Sequence, residues 1–207
     1  MRIITGSARG AIIETLEGDN TRPTAERAKE ALFSMLQFEL EGRNILDLFA
    51  GSGQLGLEAL SRGAASCTFI DSTREAVDIV IKNAKNAKLF DRARVSCVDF
   101  KAFLKSAAGK EKYDIIFLDP PYASDNVAEA VRMILDGDIL ALGGKIVCET
   151  DNGDLPKGRK KAKKNDAPEN VTEQVFGGDE ELQSKFNVVK TSIYGRARIT
   201  IIEKAEA

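Results

Sequence analysis

The sequence predicts an α/β domain built on a mostly parallel sheet with helices on both faces. Three observations carry this. Apolar runs of strand length alternate with helical patterns from residue 45 to 149, a spacing that implies right-handed crossovers. Four successive predicted strands each end in an aspartate, Asp47, Asp71, Asp99 and Asp119. The first of these strands runs straight into a glycine turn, Gly51-Ser52-Gly53, and then into a helix. In such a sheet the loops at the carboxyl ends of the strands are where a ligand sits.

In chain order, residues 2 to 5 and 11 to 16 read as two short strands of a β-hairpin appendage, 1 to 22, ahead of a main domain at 23 to 207. Pro23 suits the first turn of a helix in which Ala28, Ala31, Leu32, Met35 and Leu36 share a face. Ile45, Leu46, Leu48 and Phe49 fit a strand buried on both sides. Gln54 to Arg62 follows as a helix packed back on it. The alternation continues with a strand at 65 to 71, a helix at 73 to 88, a strand from Arg94 to Asp99 and a short helix around Ala102 to Leu104. A strand from Asp114 to Asp119, a helix from Asn126 to Leu135 and a strand from Lys145 to Glu149 complete it. From 151 to 183 the pattern breaks. The run Lys157-Gly158-Arg159-Lys160-Lys161-Ala162-Lys163-Lys164 is basic, the residues after it are polar, and a flexible basic insertion is expected. Phe186 to Ile193 and Ala197 to Glu203 read as a hairpin at the sheet edge. Cys67, Cys97 and Cys148 stand singly in strands and are expected to be small buried apolar side chains.

The glycine turn forms the floor of a cofactor site, because residues without Cβ turn sharply and let a ligand approach bare backbone. Gly51, Gly53 and Gly56 match the spacing GxGxxG, with Asp71 about 20 residues further on, as in a dinucleotide site. An NAD-dependent oxidoreductase therefore competes. Asp47 argues against it: a carboxylate beside the turn would repel a pyrophosphate but favours a cation. S-adenosylmethionine, with an ammonium and a sulfonium and no phosphate, fits better. Phe49, Ala50, Gly51, Ser52 and Gly53 then line the cofactor, and Asp71, with Ser72 beside it, takes the ribose hydroxyls. Asp99 receives the adenine amino group against Phe100, or else caps the following helix.

Asp119-Pro120-Pro121-Tyr122 closes the strand Ile115 to Leu118 and marks the reacting end. Two prolines fix φ and donate no N–H, leaving rigid carbonyl acceptors. Asp119 and the Pro120 carbonyl can hold both hydrogens of an exocyclic amine, and Tyr122 can stack on a base taken out of its helix. Alignment and stabilisation of the charge developing on nitrogen then do most of the catalytic work.

Composition narrows the field. The 207 residues are 43% hydrophobic and 30% charged, which suits a domain with a sizeable core. A net charge of -2 confines any nucleic-acid contact to local basic patches. Arg9, Arg22, Arg27 and Arg196, in loops or a first turn, are the candidate RNA contacts. The absence of histidine excludes a Ser-His-Asp triad and His-ligated zinc, and no metal is expected. No apolar leader and no run near the ~20 residues that cross a bilayer is present, so a cytoplasmic protein without a membrane partner is expected.

Asp47 to Gly53, the run Leu55-Gly56-Leu57-Glu58-Ala59-Leu60-Ser61-Arg62-Gly63-Ala64 and Asp119 to Tyr122 resemble the RsmD-type bacterial methyltransferases of small-subunit ribosomal RNA. So do Arg2-Ile3-Ile4 with Arg9-Gly10, Arg22-Pro23-Thr24 and Tyr194-Gly195. The likeness spans nearly the whole chain except about 150 to 185, where the family has a shorter segment. It implies a class I S-adenosylmethionine-dependent methyltransferase fold, Rossmann-like, with seven strands of which only the last is antiparallel. It also implies methylation of the N2 amine of one guanine in 16S rRNA within an assembling small-subunit particle. Asp47, Gly51, Gly53, Asp71 and Asp99 would surround the cofactor and Asp119 to Tyr122 would receive the guanine. A DNA adenine-N6 methyltransferase is the nearest competitor, since the same tetrapeptide positions any exocyclic amine, but the chain has no separate target-recognition region. A monomer is expected.

Overall fold

A computed structural model describes residues 1–16, 23–121, 126–151 and 170–205. Its centre is a seven-stranded sheet, β1 (Asn44–Asp47), β2 (Ser66–Asp71), β3 (Ala93–Cys97), β4 (Tyr113–Leu118), β5 (Leu140–Asp151), β6 (Phe186–Tyr194) and β7 (Ala197–Lys204). The order across the sheet is β3-β2-β1-β4-β5-β7-β6. β1 to β5 pair in parallel, and β7 is antiparallel to both of its neighbours. This is the class I S-adenosylmethionine-dependent methyltransferase architecture.

Parallel neighbours need crossovers, which are supplied by α2 (Gln54–Ser61), α3 (Arg74–Asn86), α4 (Phe100–Ala107) and α5 (Asn126–Asp136). The chain winds outward from β1 to β3, then returns to place β4 on the other side of β1. The crevice at that reversal, over the carboxyl ends of β1 and β4, is where such sheets bind ligands.

Both faces of the sheet are covered, which explains the continuous apolar strands. Ile45 and Phe117 join one core with Leu32 and Phe33 of α1 (Pro23–Met35), Leu57 and Leu60 of α2 and Val80 of α3. Leu46 and Ile116, one residue along and therefore on the opposite face, join a second core with Leu104 of α4 and Val131 and Ile134 of α5.

Several expectations are corrected. β1 ends at Asp47, so Leu48 and Phe49 lie beyond the strand. β5 begins at Leu140, ahead of Gly143-Gly144, and its register against β4 shifts between Tyr113 and Ile115. α4 is a full eight-residue helix. The amino-terminal segment forms a single antiparallel bridge, Arg2 to Ile12, instead of two regular strands. Its Ile3 and Ile13 are buried in the first core. Within the expected insertion, residues 170 to 184 form α6 (Asn170–Phe176) and α7 (Glu180–Ser184), held by Val175, Phe176 and Leu182 in the second core. Asp179 caps α7 through Leu182 N–H and pairs with Arg132 of α5. The basic run 157 to 164 lies outside the described residues. Cys67 and Cys148 are buried as expected, but Cys97 is exposed because β3 is an edge strand. Among the described residues, no helix is long and apolar enough to cross a membrane.

Candidate active site

β1 delivers Asp47 to the rim, where it is buried to 1% exposure. Its Oδ2 accepts a hydrogen bond of 3.0 Å from Gly56 N–H, in the first turn of α2. The carboxylate thus sits at the positive end of that helix, the place a pyrophosphate would need. Gly51 and Gly53 take φ values of 51° and 77°, in the left-handed region. Gly56 serves a different purpose. A Cβ there would lie 2.3 Å from Phe69 and 2.6 Å from the Cys67 sulfur, so glycine lets α2 lie flat against β2. The GxGxxG match therefore follows from turn and packing geometry and does not require a dinucleotide.

The second Asp47 oxygen, Oδ1, has no hydrogen-bond partner among the described residues. Burial pushes the Asp47 carboxyl up to about 7; the Gly56 N–H opposes this and the nearby Asp71 charge adds to it. Asp71 is committed to the backbone. Its Oδ2 accepts from Gly51 N–H at 3.0 Å, and its Oδ1 accepts from the Thr73 N–H and hydroxyl at 2.9 and 3.0 Å. It therefore locks the glycine turn to the start of α3, with Ser72 exposed beside it. Asp99 is exposed and caps α4, its Oδ1 accepting from Lys101 and Ala102 N–H at 2.9 and 3.3 Å. Of the two readings of Asp99, the cap is the one realised in the geometry. Phe49 and Phe100 lie with ring centroids 5.1 Å apart and form an apolar wall.

The amino-terminal segment is fastened over this region by Asn83 of α3. Its side chain exchanges hydrogen bonds of 2.9 Å with Glu14 and donates another of 2.9 Å to the Ser52 carbonyl. Thr15 and Leu16 are thereby brought to the cavity edge, which a local reading of the sequence had no means to show.

These elements enclose a cavity of about 750 Å³. Asp47, Phe49, Ala50, Gly51, Ser52, Asp71, Ser72, Asp99, Phe100, Asp119, Pro120 and Pro121 all line it, so the cofactor and reacting-end candidates converge on one space. Gly53 does not line it; it is the residue preceding α2 and packs towards Val80. Asp119 is half-buried, Pro120 buried and Pro121 exposed. Arg9, Arg27 and Arg196 are exposed, in the amino-terminal turn, in α1 and between β6 and β7. Tyr122 and Arg22 lie outside the described residues. Glu149, two residues before the end of β5, also lines the cavity and was not among the expected residues. Its signal was present, a carboxylate closing the apolar run Ile146-Val147-Cys148.

Residues 1–175 match the family described as Conserved hypothetical protein 95. A Bacillus subtilis protein described as a candidate rRNA methyltransferase, YlbH, is 40% identical over 152 residues, 73% of this chain and 83% of that protein. Ribosomal RNA small subunit methyltransferase D of Haemophilus influenzae is 34% identical over 152 residues, 73% of this chain and 79% of that one. The chain belongs to the RsmD-type family. The solved structure of an Escherichia coli protein described as a candidate methyltransferase, yhhF, superposes with a TM-score of 0.75 at 29% identity, covering 99% of this chain and 97% of that one.

S-adenosylmethionine is the cofactor of this family, and the residues fit it. Asp47 offers a buried oxygen without a partner to an ammonium. A Cβ on Gly51 would meet nothing within 4 Å, so the turn leaves open space for a ligand. Among the described residues, Lys101 is the one basic side chain on the cavity wall, and it is paired with Glu129 at 2.7 Å. Five carboxylates of the described residues, Asp47, Asp71, Asp99, Asp119 and Glu149, line the space and favour a cationic donor over a pyrophosphate.

Proposed function

We propose that this protein transfers a methyl group from S-adenosylmethionine to the exocyclic N2 amine of a guanine in 16S rRNA, within an assembling small-subunit particle in the cytoplasm. The observation that carries this reading is the junction of two halves in one cavity: the acidic glycine turn after β1 and the Asp119-Pro120 corner after β4. The name of the Haemophilus influenzae relative supports the choice of small-subunit RNA.

When bound, S-adenosylmethionine supplies an electrophilic methyl on a cationic sulfur that leaves as a neutral thioether. Asp47 holds the donor's ammonium, and the Phe49 and Phe100 wall takes its adenine. Asp119 and the Pro120 carbonyl accept the two N2 hydrogens, which aims the nitrogen lone pair at the methyl carbon. As the N–C bond forms, Asp119 stabilises the positive charge on nitrogen and accepts the hydrogen bond through which the surplus proton departs. Because that lone pair is delocalised into the ring, orientation and charge stabilisation carry the rate. Tyr122 follows in sequence and stacks on the extruded base. Arg9, Arg22, Arg27 and Arg196 supply contacts to RNA phosphates.

Replacing Asp119 by Ala tests the assignment with labelled S-adenosylmethionine and small-subunit particles lacking the modification. Turnover should fall by roughly 10²- to 10³-fold, the scale for removing one stabilising group from a reacting centre. S-adenosylhomocysteine should bind as tightly as before. Unchanged turnover, or methylation of duplex DNA in preference to particles, contradicts the proposal.

A further inference from the structure

We propose that Glu149 reads the N1–H of the target base and so selects guanine over bases that carry an exocyclic amine beside an unprotonated ring nitrogen. The inference rests on the N2-methylation reading above and adds the residue that sets base specificity.

Following the strand order, the carboxylates on the rim read Asp99, Asp71, Asp47, Asp119 and Glu149. The first three flank the glycine turn and the Phe49–Phe100 wall, on the cofactor side of the crevice. With that side filled, the acceptor base is left the space over β4 and β5. Leu118 of β4 pairs with Cys148 of β5, and Asp119 and Glu149 are the residues that follow them, Asp119 just beyond the end of β4 and Glu149 still within β5. Both line the cavity. Glu149 carries one more methylene than Asp119 and reaches further from the sheet.

Its backbone is fixed. β5 is hydrogen-bonded on one side to β4 and on the other to β7, where Glu149 faces Ile199 and Thr150 faces Arg198. The Thr150 hydroxyl and the Arg198 guanidinium both donate to the Gln174 side-chain oxygen of α6, at 2.9 and 2.7 Å.

Guanine presents two kinds of donor on one edge, the N2 amine and N1–H. With N2 held by Asp119 and the Pro120 carbonyl, the adjacent N1–H needs an acceptor, and an ionised carboxylate is acceptor-only. Adenine, cytosine and 2-aminopurine each place a bare ring-nitrogen lone pair next to the amine, which would face the Glu149 oxygens and be repelled. Sites that hydrogen-bond a substrate group reject analogues lacking it by large factors, because their own polar group is left unpaired.

The test uses the full-length protein and small-subunit particles whose 16S rRNA carries either guanine or 2-aminopurine at the modified position. 2-Aminopurine keeps the reacting amine and lacks N1–H. Wild-type protein should favour guanine in kcat/KM by on the order of 10²-fold. Glu149→Gln, whose amide can donate to a bare N1, should narrow that ratio at least tenfold while S-adenosylhomocysteine affinity and the melting temperature hold. Glu149→Asp, which keeps the charge but withdraws it, should lose activity on guanine and still reject 2-aminopurine. A Glu149→Gln ratio equal to that of the wild type, with both substrates slowed alike, overturns the inference and leaves methyl transfer to N2 intact. No methylation of guanine-bearing particles by the wild type overturns both.

Discussion

Among the described residues, two carboxylates are buried around α2, and they are satisfied very differently. Glu58, at 0% exposure, accepts hydrogen bonds from Ile4 N–H (2.7 Å), Thr5 N–H (3.1 Å) and Arg62 Nε (2.8 Å). Lys29 stands 3.7 Å away and donates to the Arg2 carbonyl at 2.9 Å. Burial pushes the Lys29 ammonium down from its ordinary value, and the Glu58 charge opposes that shift. This group welds the amino-terminal segment to the helix. Asp47, at 1% exposure on the other flank, has one hydrogen bond and an oxygen with no partner among the described residues. The contrast separates a fully satisfied structural charge from one left with an unmet acceptor, and the proposed function assigns that acceptor to the methyl donor: native folds satisfy buried polar atoms, and exceptions concentrate where function needs them.

The largest effect should come from completing the comparison at the structural end. Glu58→Ala leaves Lys29 buried without its main counter-charge, with only the weaker influence of Glu26, and strips Ile4 and Thr5 of their acceptor. Loss of one partner of a buried pair costs about 3–5 kcal/mol, so chemical denaturation should show a drop of that size. A drop below about 1 kcal/mol, the scale of an exposed pair, would place Glu58 among ordinary surface charges.

Asp47→Asn should act less on stability and in a pH-dependent way. The folded carboxyl titrates at about 7, above its ordinary 3.8. Between those values the folded state binds a proton that the unfolded state has lost, so this group's contribution is full below about 4, declines as pH rises to 7 and is then flat. The asparagine variant, which keeps an acceptor for Gly56 N–H, should lack that decline. Parallel slopes for the two proteins in denaturation between pH 5 and 7 would show that Asp47 is not strained by burial.

Much of this was legible in the sequence, for definite reasons. Parallel strands covered on both faces read as unbroken apolar runs, and β1, β2 and β4 were visible for that reason. The rim aspartates were visible because each closes such a run. α6 and α7 were not, since their burial rests on Val175, Phe176 and Leu182 scattered among polar residues. The amino-terminal segment misled because its acceptor, Glu58, lies 54 residues away from Ile4, a distance that no local pattern encodes. Asp71 and Asp99 point to a subtler limit. Position on the rim was readable, and so was the cap at Asp99 as one of two readings, because aspartate is a preferred N-cap; the choice between those readings, and the bonds of Asp71 to Gly51 and Thr73, depend on loop geometry that residue types leave open.

In the proposed function Asp47 is held, incompletely satisfied, for a cationic methyl donor. Calorimetric titration of wild type and Asp47→Asn with S-adenosylmethionine at pH 6 and pH 8 tests it most directly. In the wild type a bound ammonium favours the ionised carboxylate, so the protein must release a proton on binding below pH 7, and affinity should be weaker at pH 6 by up to about tenfold. The variant should bind more weakly than wild type at pH 8 and show little change between the two values. Equal affinities for both proteins, with the same pH dependence, would contradict the account.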